Sequence, residues 1–236
     1  MQAPRIIAVE TSSATGSVAL ALGPRLLAEQ SFSAKTQHAR ELLPTLAMLH
    51  EKCAWQPGEV DECFLSIGPG SFTGLRVAVA FARHLSLAAG ARLCAVATLD
   101  VIAANMVSVP PPPERLAVIL DAKRGQVFGA TFTMVGEAYR RDGEARLVEP
   151  AVLLHEGSRL SVMGEGIDYH RAAVETSGAA IIERTLWTPR AGGVHRLGWE
   201  MSQAGLFTPP HELIPFYLRR PEAEEVWEKR QGNRCA

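Results

Sequence analysis

The sequence lacks an excess of charge of either sign, a dense set of cysteines and any long apolar run. Its 236 residues carry a formal net charge of −1, which argues against the overall basic field of a stand-alone nucleic-acid binder. The four cysteines, Cys53, Cys63, Cys94 and Cys235, lie far apart, so they show neither a paired metal-ligand spacing nor a disulfide framework. No run approaches the length that spans a membrane, and Met1–Arg5 lacks the apolar core of a signal peptide. We therefore expect a globular cytoplasmic protein, folded as one unit or as two small lobes.

The motifs of common enzyme classes are also missing. The sequence has no Gly-x-Ser-x-Gly nucleophile elbow, no Walker-type Gly-Lys-Ser/Thr and no pair of histidines at helical spacing. His38 and Glu41 resemble metal ligands, but Leu42 stands one turn after His38, where a further ligand would be needed. Ser71 resembles a nucleophile at the top of a helix, although helix capping explains it without a catalytic partner. The sequence thus predicts no catalytic residue and no metal ligand.

Two acidic turns are candidates for a ligand-binding site. Glu10 ends an apolar β-rich run and precedes the hydroxyl groups of Thr11 and Ser12. Asp121 ends a second such run, and Gly125 closes the turn that follows it. Such turns can hold a phosphate with its metal ion, although an ordinary Asx or Ser turn explains each one taken alone. These five residues are our candidates for a nucleotide cleft.

The stretch from Ser66 to Arg76 predicts a strand end, a tight turn and the start of a helix. Gly68 and Gly70 suit backbone with positive φ, and Ser71 or Thr73 can cap the helix by accepting a hydrogen bond from its first N–H groups. The N-terminus of this helix could receive an anion. The alternative is a glycine turn that only packs a helix onto a sheet.

The helix after this turn is predicted to run to about Leu87 and to stop near Gly90. It is apolar on most of its surface, with Ala78, Ala82, Leu85 and Ala89 at helical spacing. Such a helix lies deep in a core, or it is shared between a core and a partner subunit.

The chain divides at Pro110–Pro113, because consecutive prolines favour an extended spacer. Strand, acidic turn and strand occur on both sides of this spacer, which predicts two related lobes, residues 1–109 and 110–220. Residues 221–236 are predicted to be a flexible charged tail. A basic cluster at this end is more typical of a solvated tail than of an RNA site; it comprises Arg219, Arg220, Lys229, Arg230 and Arg234.

Five motifs occur in a family-specific order: Ile7–Ser12, His38 with Glu41–Pro44, Gly68–Arg76, Asp121–Phe128 and Pro215–Arg219. In this order they resemble the motifs of the bacterial TsaB (YeaZ) family over nearly the whole chain. The run from Gly68 to Arg76 is the most specific of them. The chain departs from the commoner family pattern at Glu10, often Asp, and at Gln126, often Glu, and the second change weakens the case for a cation.

The resemblance implies an α/β fold of the two-lobed ASKHA type, the architecture of actin, sugar kinases and heat-shock chaperones, with a mixed sheet and flanking helices in each lobe. It also implies a role in making N6-threonylcarbamoyladenosine in tRNAs that read codons beginning with A. In that family the transferase is the paralogue TsaD, which binds metal through histidines on the helix corresponding to Thr36–Cys53. Because Leu42 stands in this helix instead of a second histidine, the resemblance implies a non-catalytic scaffold that binds and activates TsaD. It implies no firm cofactor, and it leaves open ATP or ADP at the interface with TsaD.

The resemblance also supplies partners. The ATPase TsaE is expected to join the pair, TsaC to supply threonylcarbamoyl-adenylate, and tRNA to be met through the complex; homodimers use a similar surface, and no membrane partner is expected. TsaD is expected to dock on helices of the first lobe, where alanines permit close approach and arginines fix register. The implied docking residues are Thr73, Arg76, Ala78, Ala82, Arg83, Leu85 and Ala89, with Leu42 and Leu46. A large charged residue in place of Ala82 is expected to break this pairing and to leave the lobe folded.

Two enzyme alternatives remain beside the scaffold. The first is a small ASKHA-type phosphotransferase that uses Glu10 and Asp121 around Mg-ATP, and it requires tight nucleotide binding by the isolated chain. The second is the glycopeptidase activity historically attached to relatives of this fold, for which the sequence offers no nucleophile or metal constellation.

Overall fold

The computed structural model describes residues 3–33, 38–56, 58–155 and 159–217. The chain forms two mixed β-sheets, each with flanking helices, which confirms the predicted two-lobed α/β fold of ASKHA type. The predicted flexible tail 221–236 and its basic cluster lie outside the described residues, as does Thr36 at the predicted start of the first helix.

The first sheet has five strands in the order β3-β2-β1-β4-β5. Its first three strands are antiparallel neighbours, and the last two run parallel to β1. The strands are β1 (Arg5–Glu10), β2 (Thr15–Leu22), β3 (Arg25–Ser33), β4 (Glu62–Ser66) and β5 (Arg92–Val96).

Both faces of this sheet are covered, so its central strands are apolar on both sides. Helices α1 (His38–Cys53) and α2 (Phe72–Ala89) cover one face, α1 over β2 and β3 and α2 over β4 and β5. Helix α6 (Ala191–Gln203) covers the other. Successive residues of β1 alternate between the two cores: Ile7 packs with the helices α1 and α2, and Ala8 packs with α6.

The second sheet repeats this plan, with strands in the order β11-β10-β6-β7-β8 and β9 paired to β7. Its central strand β6 also ends in an acidic residue, and β7 also returns antiparallel to it. The strands are β6 (Arg115–Asp121), β7 (Val127–Val135), β8 (Ala138–Arg141), β9 (Arg146–Val148), β10 (Leu160–Met163) and β11 (Ala180–Ile181); the accompanying helices are α3 (Thr98–Ala104), α4 (Pro150–Leu154) and α5 (Gly166–Ser177), with 3-10 turns at Asn105–Ser108 and Arg184–Leu186.

Helices α3 and α6 pack between the lobes. Helix α3 contacts the second sheet and α6, whereas α6 lies on the first sheet although it comes last along the chain. The Asn105 side chain donates to the carbonyls of Leu186 and Thr188, both at 2.9 Å, and the Ala191 N–H donates to Ser17 Oγ at 2.8 Å. The division into 1–109 and 110–220 stays a prediction, and packing groups α6 with the first sheet.

The turn before α2 folds as the sequence predicts. Gly68 has a φ of 118°, and a Cβ there would lie 2.7 Å from the carbonyl oxygen of Phe216, so only glycine fits. Ser71 is the N-cap, with its Oγ accepting from the Gly74 N–H at 3.2 Å. Gly90 ends the helix in a left-handed conformation with a φ of 71°.

Candidate functional site

An apolar groove of about 1050 Å³ lies between α1 and α2 on the outer face of the first lobe. Ile7 of β1 and Val60 line it, together with side chains of both helices. Helix α1 contributes Ala39, Leu42, Leu43, Leu46, Ala47, His50 and Glu51, and α2 contributes Val77, Ala80, Phe81, His84 and Leu85. Because apolar side chains dominate this open surface, it can bury apolar parts of another protein chain.

The structure corrects the predicted docking face of α2. Ala78 and Ala82 are fully buried, with 0% of their surface exposed, and they pack in the core beneath the helix. They therefore face the sheet, and the expectation that a charged residue at Ala82 would leave the lobe folded is wrong. These two small side chains let the helix lie close to β4 and β5.

The groove-facing stripe of α2 is the one that the sequence analysis missed. Val77, Ala80, Phe81 and His84 are three, four and seven residues apart, which places them on one helical face. This spacing was visible in the sequence, but α2 shows two apolar stripes and only tertiary packing decides which one the sheet covers. Trp55, which closes one side of the groove, lies beyond α1 and had no periodic signal.

The other predicted docking residues fall into two groups. Leu42, Leu46 and Leu85 line the groove, and Ala89 is half-buried near the end of α2. Thr73, Arg76 and Arg83 are exposed on α2 but lie outside the groove lining. Their role in docking stays a prediction.

Arg76 and Arg83 both contact the C-terminal segment of the described chain. The Arg76 guanidinium lies 3.8 Å from the centre of the Phe72 ring, and its Nε donates to Tyr217 Oη at 3.3 Å. Arg83 Nη2 donates to the His211 carbonyl at 3.5 Å. These contacts hold the segment that ends at Tyr217 against α2.

His50 is a half-buried polar residue that lines the groove. Its ring lies edge-on to Trp55 with 6.0 Å between centroids, and its Nε2 has no hydrogen-bond partner among the described residues. Burial lowers the pKa of His50, although the nearby Glu59 carboxylate opposes this shift. The neutral imidazole is therefore favoured, and it adds no charge to the apolar groove.

A second, smaller pocket of about 290 Å³ lies between the lobes. The first lobe contributes Ser12, Ser13, Ala14, Thr15, Gly70, Thr98 and Ile102, and the second contributes Leu120, Glu165, Asp168, Tyr169, Arg184, Trp187, Thr188 and Pro189. Arg184 donates to both carboxylate oxygens of Asp168, at 3.0 and 2.7 Å, so its charge is balanced within the rim. Of the five predicted cleft residues, only Ser12 lines this pocket.

Glu10 is fully buried at the end of β1. Its Oε1 accepts from the backbone N–H and the hydroxyl of Ser12, both at 2.5 Å, and its Oε2 has no partner among the described residues. Burial raises the pKa of Glu10, against the effect of the Ser12 hydrogen bonds and of the nearby Ser66 hydroxyl. Burial thus disfavours the charged form of the carboxyl group, which is the form that binds Mg²⁺.

Asp121 is engaged by its own lobe. Its Oδ2 lies 2.9 Å from Lys123 Nζ, and its Oδ1 lies 3.3 Å from His170 Nε2. Burial acts to raise the pKa of Asp121, but the hydrogen bonds and charge of Lys123, together with His170, outweigh it and lower the pKa. Gly125 has a φ of 76°, with no atom within 4 Å of an added Cβ, so it shapes the turn. The arrangement does not fit a cation shared by Glu10 and Asp121.

The described parts of the chain contain no group of three His, Cys, Asp or Glu side chains placed to hold a metal ion. In the same parts, no helix is both long enough and apolar enough to span a membrane.

Comparison with known proteins assigns a family to this fold. The model of the family described as "TsaD: tRNA N6-adenosine threonylcarbamoyltransferase" matches residues 26–186, more than half of the chain. The Bacillus subtilis protein named tRNA threonylcarbamoyladenosine biosynthesis protein TsaB is 29% identical over 230 residues, covering 94% of this chain and 97% of that protein. The Escherichia coli protein of the same name is 25% identical over 97% of this chain and 99% of its own.

Solved structures agree with the sequence relatives. The structure described as YeaZ from Pseudomonas aeruginosa superposes with a TM-score of 0.79 at 25% identity, covering 91% of this chain and 100% of that chain. The chain therefore belongs to the TsaD family, tRNA N6-adenosine threonylcarbamoyltransferase, and within it to the TsaB (YeaZ) proteins.

Proposed function

We propose that this protein is a non-catalytic partner subunit in the synthesis of N6-threonylcarbamoyladenosine in tRNA, and that it binds and activates a TsaD-like transferase through the α1–α2 groove. The observation that carries this proposal is the open apolar groove. Its lining includes Leu43, 59% exposed, together with Ala80 and Phe81 of α2. A protein surface with such a concentration of apolar side chains is typical of a binding site for another protein.

The names of the relatives supply the process. Two relatives that span nearly all of this chain are named tRNA threonylcarbamoyladenosine biosynthesis proteins. The matching family model is that of the transferase itself. We therefore propose a transferase of the same fold as the partner. We propose that its own apolar helices occupy the groove, because two helices with a gap between them offer ridges and a channel that fit a helical surface.

The further partners rest on the family resemblance. We propose that a TsaE-like ATPase joins the pair, that a TsaC-like enzyme supplies the activated threonylcarbamoyl group, and that tRNA is met through the complex. A second copy of this chain is the competing occupant of the groove. The phosphotransferase alternative is not favoured, because burial disfavours the charged form of Glu10 and Lys123 pairs with Asp121.

The test is the formation of threonylcarbamoyladenosine on tRNA with purified TsaC-, TsaD- and TsaE-like proteins from the same organism, with ATP, threonine and bicarbonate. We expect product only when this chain is added. Ala80→Glu places a charge in the groove and should not support product formation, whereas Ala151→Glu, at an exposed alanine of α4, should support full activity. Equal product without this chain, from components proven active, would refute the proposal.

A further inference from the structure

The N-terminal ends of both groove helices are bound to the same short loop, residues 11–13. On the α2 side, the Ser71 N–H donates to the Ser12 carbonyl at 2.7 Å, and Thr11 Oγ1 donates to the Gly74 carbonyl at 2.8 Å. The approach is close, since a Cβ on Gly74 would lie 1.8 Å from the carbonyl oxygen of Thr11. The loop and the first turn of α2 therefore form one packed unit.

On the α1 side, the link is a single side chain. His38 is the first residue of α1 and is buried, with 5% of its surface exposed. Its Nε2 lies 3.0 Å from the Ser13 carbonyl oxygen, and because a carbonyl only accepts, this nitrogen carries the proton. The Phe32 ring meets the imidazole edge-on at 6.1 Å, and Gly16 leaves space for both rings. The hydrogen bond and the contact with Phe32 together hold the imidazole ring of His38 in one orientation.

Adjacent carbonyls, those of Ser12 and Ser13, therefore hold the starts of α2 and α1. The groove lies between the two helices, which rest mainly on different strands of the sheet and also contact each other. The loop therefore ties the two helix starts together, in addition to the direct contacts between the helices. The same two serines line the pocket between the lobes.

We propose that His38 is a positioning residue for docking: its hydrogen bond to the Ser13 carbonyl holds the start of α1 relative to α2 and so contributes to the width of the groove that receives the partner. This inference rests on the proposed function, because it concerns the same groove. It differs in assigning affinity to a residue that is buried below the docking surface and that does not line it.

The first experiment measures the affinity of the TsaD-like transferase for the wild type, for His38→Ala and for His38→Gln. Loss of one hydrogen bond that preorganises the groove should weaken binding on the order of fivefold to tenfold in His38→Ala. His38→Gln keeps an N–H donor and should restore most of the affinity. His155→Ala, at an exposed histidine of the second lobe, is the matched control and should bind like the wild type.

The second experiment separates positioning from a general loss of stability. Spin labels at Arg40→Cys and Thr73→Cys, both exposed near the helix starts, report the distance between α1 and α2 in a Cys53→Ser, Cys235→Ser background. We expect a narrow distance distribution in the parent, a broader or shifted one with His38→Ala, and recovery with His38→Gln, all below the melting temperature.

The outcomes of the two proposals are distinguishable. If the wild type does not bind the transferase, the proposed function fails. If the wild type binds and His38→Ala binds equally well with an unchanged distance distribution, this inference is overturned. If His38→Ala does not fold, Thr11→Val tests the same loop from the α2 side; weaker binding would support the inference, and unchanged affinity and distance would refute it.

Discussion

Replacing Gly74 by alanine tests the packing of α2 against the loop at residues 11–13. Gly74 lies in the first turn of α2 with ordinary helical backbone, where alanine is normally favoured over glycine by up to about 1 kcal/mol. The added Cβ would lie 1.8 Å from the Thr11 carbonyl oxygen, whereas ordinary contacts begin at 3.4 Å. The close atom belongs to the backbone of Thr11, which cannot move away by a rotamer change as a flexible side chain can. The loop must therefore separate from the helix.

The magnitude follows from what this separation disrupts. Overpacking of a close contact costs about 1–3 kcal/mol, and the hydrogen bonds from Thr11 Oγ1 and from the Ser71 N–H contribute about 1 kcal/mol each. Against the helix-propensity gain of about 1 kcal/mol, we expect Gly74→Ala to lower the free energy of unfolding by about 2–4 kcal/mol.

Urea denaturation followed by circular dichroism, with linear extrapolation, measures this change. Gly193→Ala in α6 is the matched control, because its nearest neighbour, Val101 Cγ1 at 3.1 Å, is a side-chain atom that can shift slightly. We expect a change within about 1 kcal/mol for the control. A Gly74→Ala variant as stable as the wild type, or more stable, would refute the close packing of α2 on the loop.

Three further predictions concern burial and pH. Ala82→Glu should lower the free energy of unfolding by at least about 3 kcal/mol, because it buries an unpaired carboxylate, whereas Ala80→Glu should change it by less than about 0.5 kcal/mol; equal denaturation midpoints would contradict the assigned faces of α2. Burial lowers the pKa of His195 below 6.5, so the unfolded chain binds the proton at a higher pH than the folded chain does. The free energy of unfolding should therefore fall as the pH drops below about 6.5. His195→Gln should make this fall less steep, and an unchanged pH dependence would contradict the prediction. Burial raises the pKa of Glu10 above 4.5, so the free energy of unfolding should fall as the pH rises from that value. Glu10→Gln should therefore be more stable than the wild type at pH 8. A less stable variant would show that the folded protein stabilises the ionised carboxylate.

The sequence predicted the framework of both lobes because its signals there are local. The alternating strands, the cap at Ser71 and the stop at Gly90 depend on residues that are neighbours along the chain. Both sheets also contain the predicted unit of a strand, an acidic turn and a second strand. The first strand of this unit ends at Glu10 in one sheet and at Asp121 in the other. Such features follow from backbone preferences and periodicity, so a single sequence suffices.

The candidate site was less predictable because tertiary packing decides it. Helix α2 carries two apolar stripes, and only the position of the sheet shows that Ala82 is buried while Phe81 lines the groove. The charge balance of Asp121 depends partly on His170, which α5 brings from 49 residues away. The return of α6 to the first sheet likewise has no signal within its own amphipathic pattern.

Direct titration of this chain with the TsaD-like transferase tests the docking groove most directly. Isothermal titration calorimetry should show tight binding of equal strength for the wild type and for Ala151→Glu. Ala80→Glu, folded as judged by circular dichroism, should bind at least about 100-fold more weakly, since a carboxylate would be desolvated among apolar side chains. Binding of Ala80→Glu that equals the wild type, with the transferase proven active, would place the docking surface elsewhere and contradict the account.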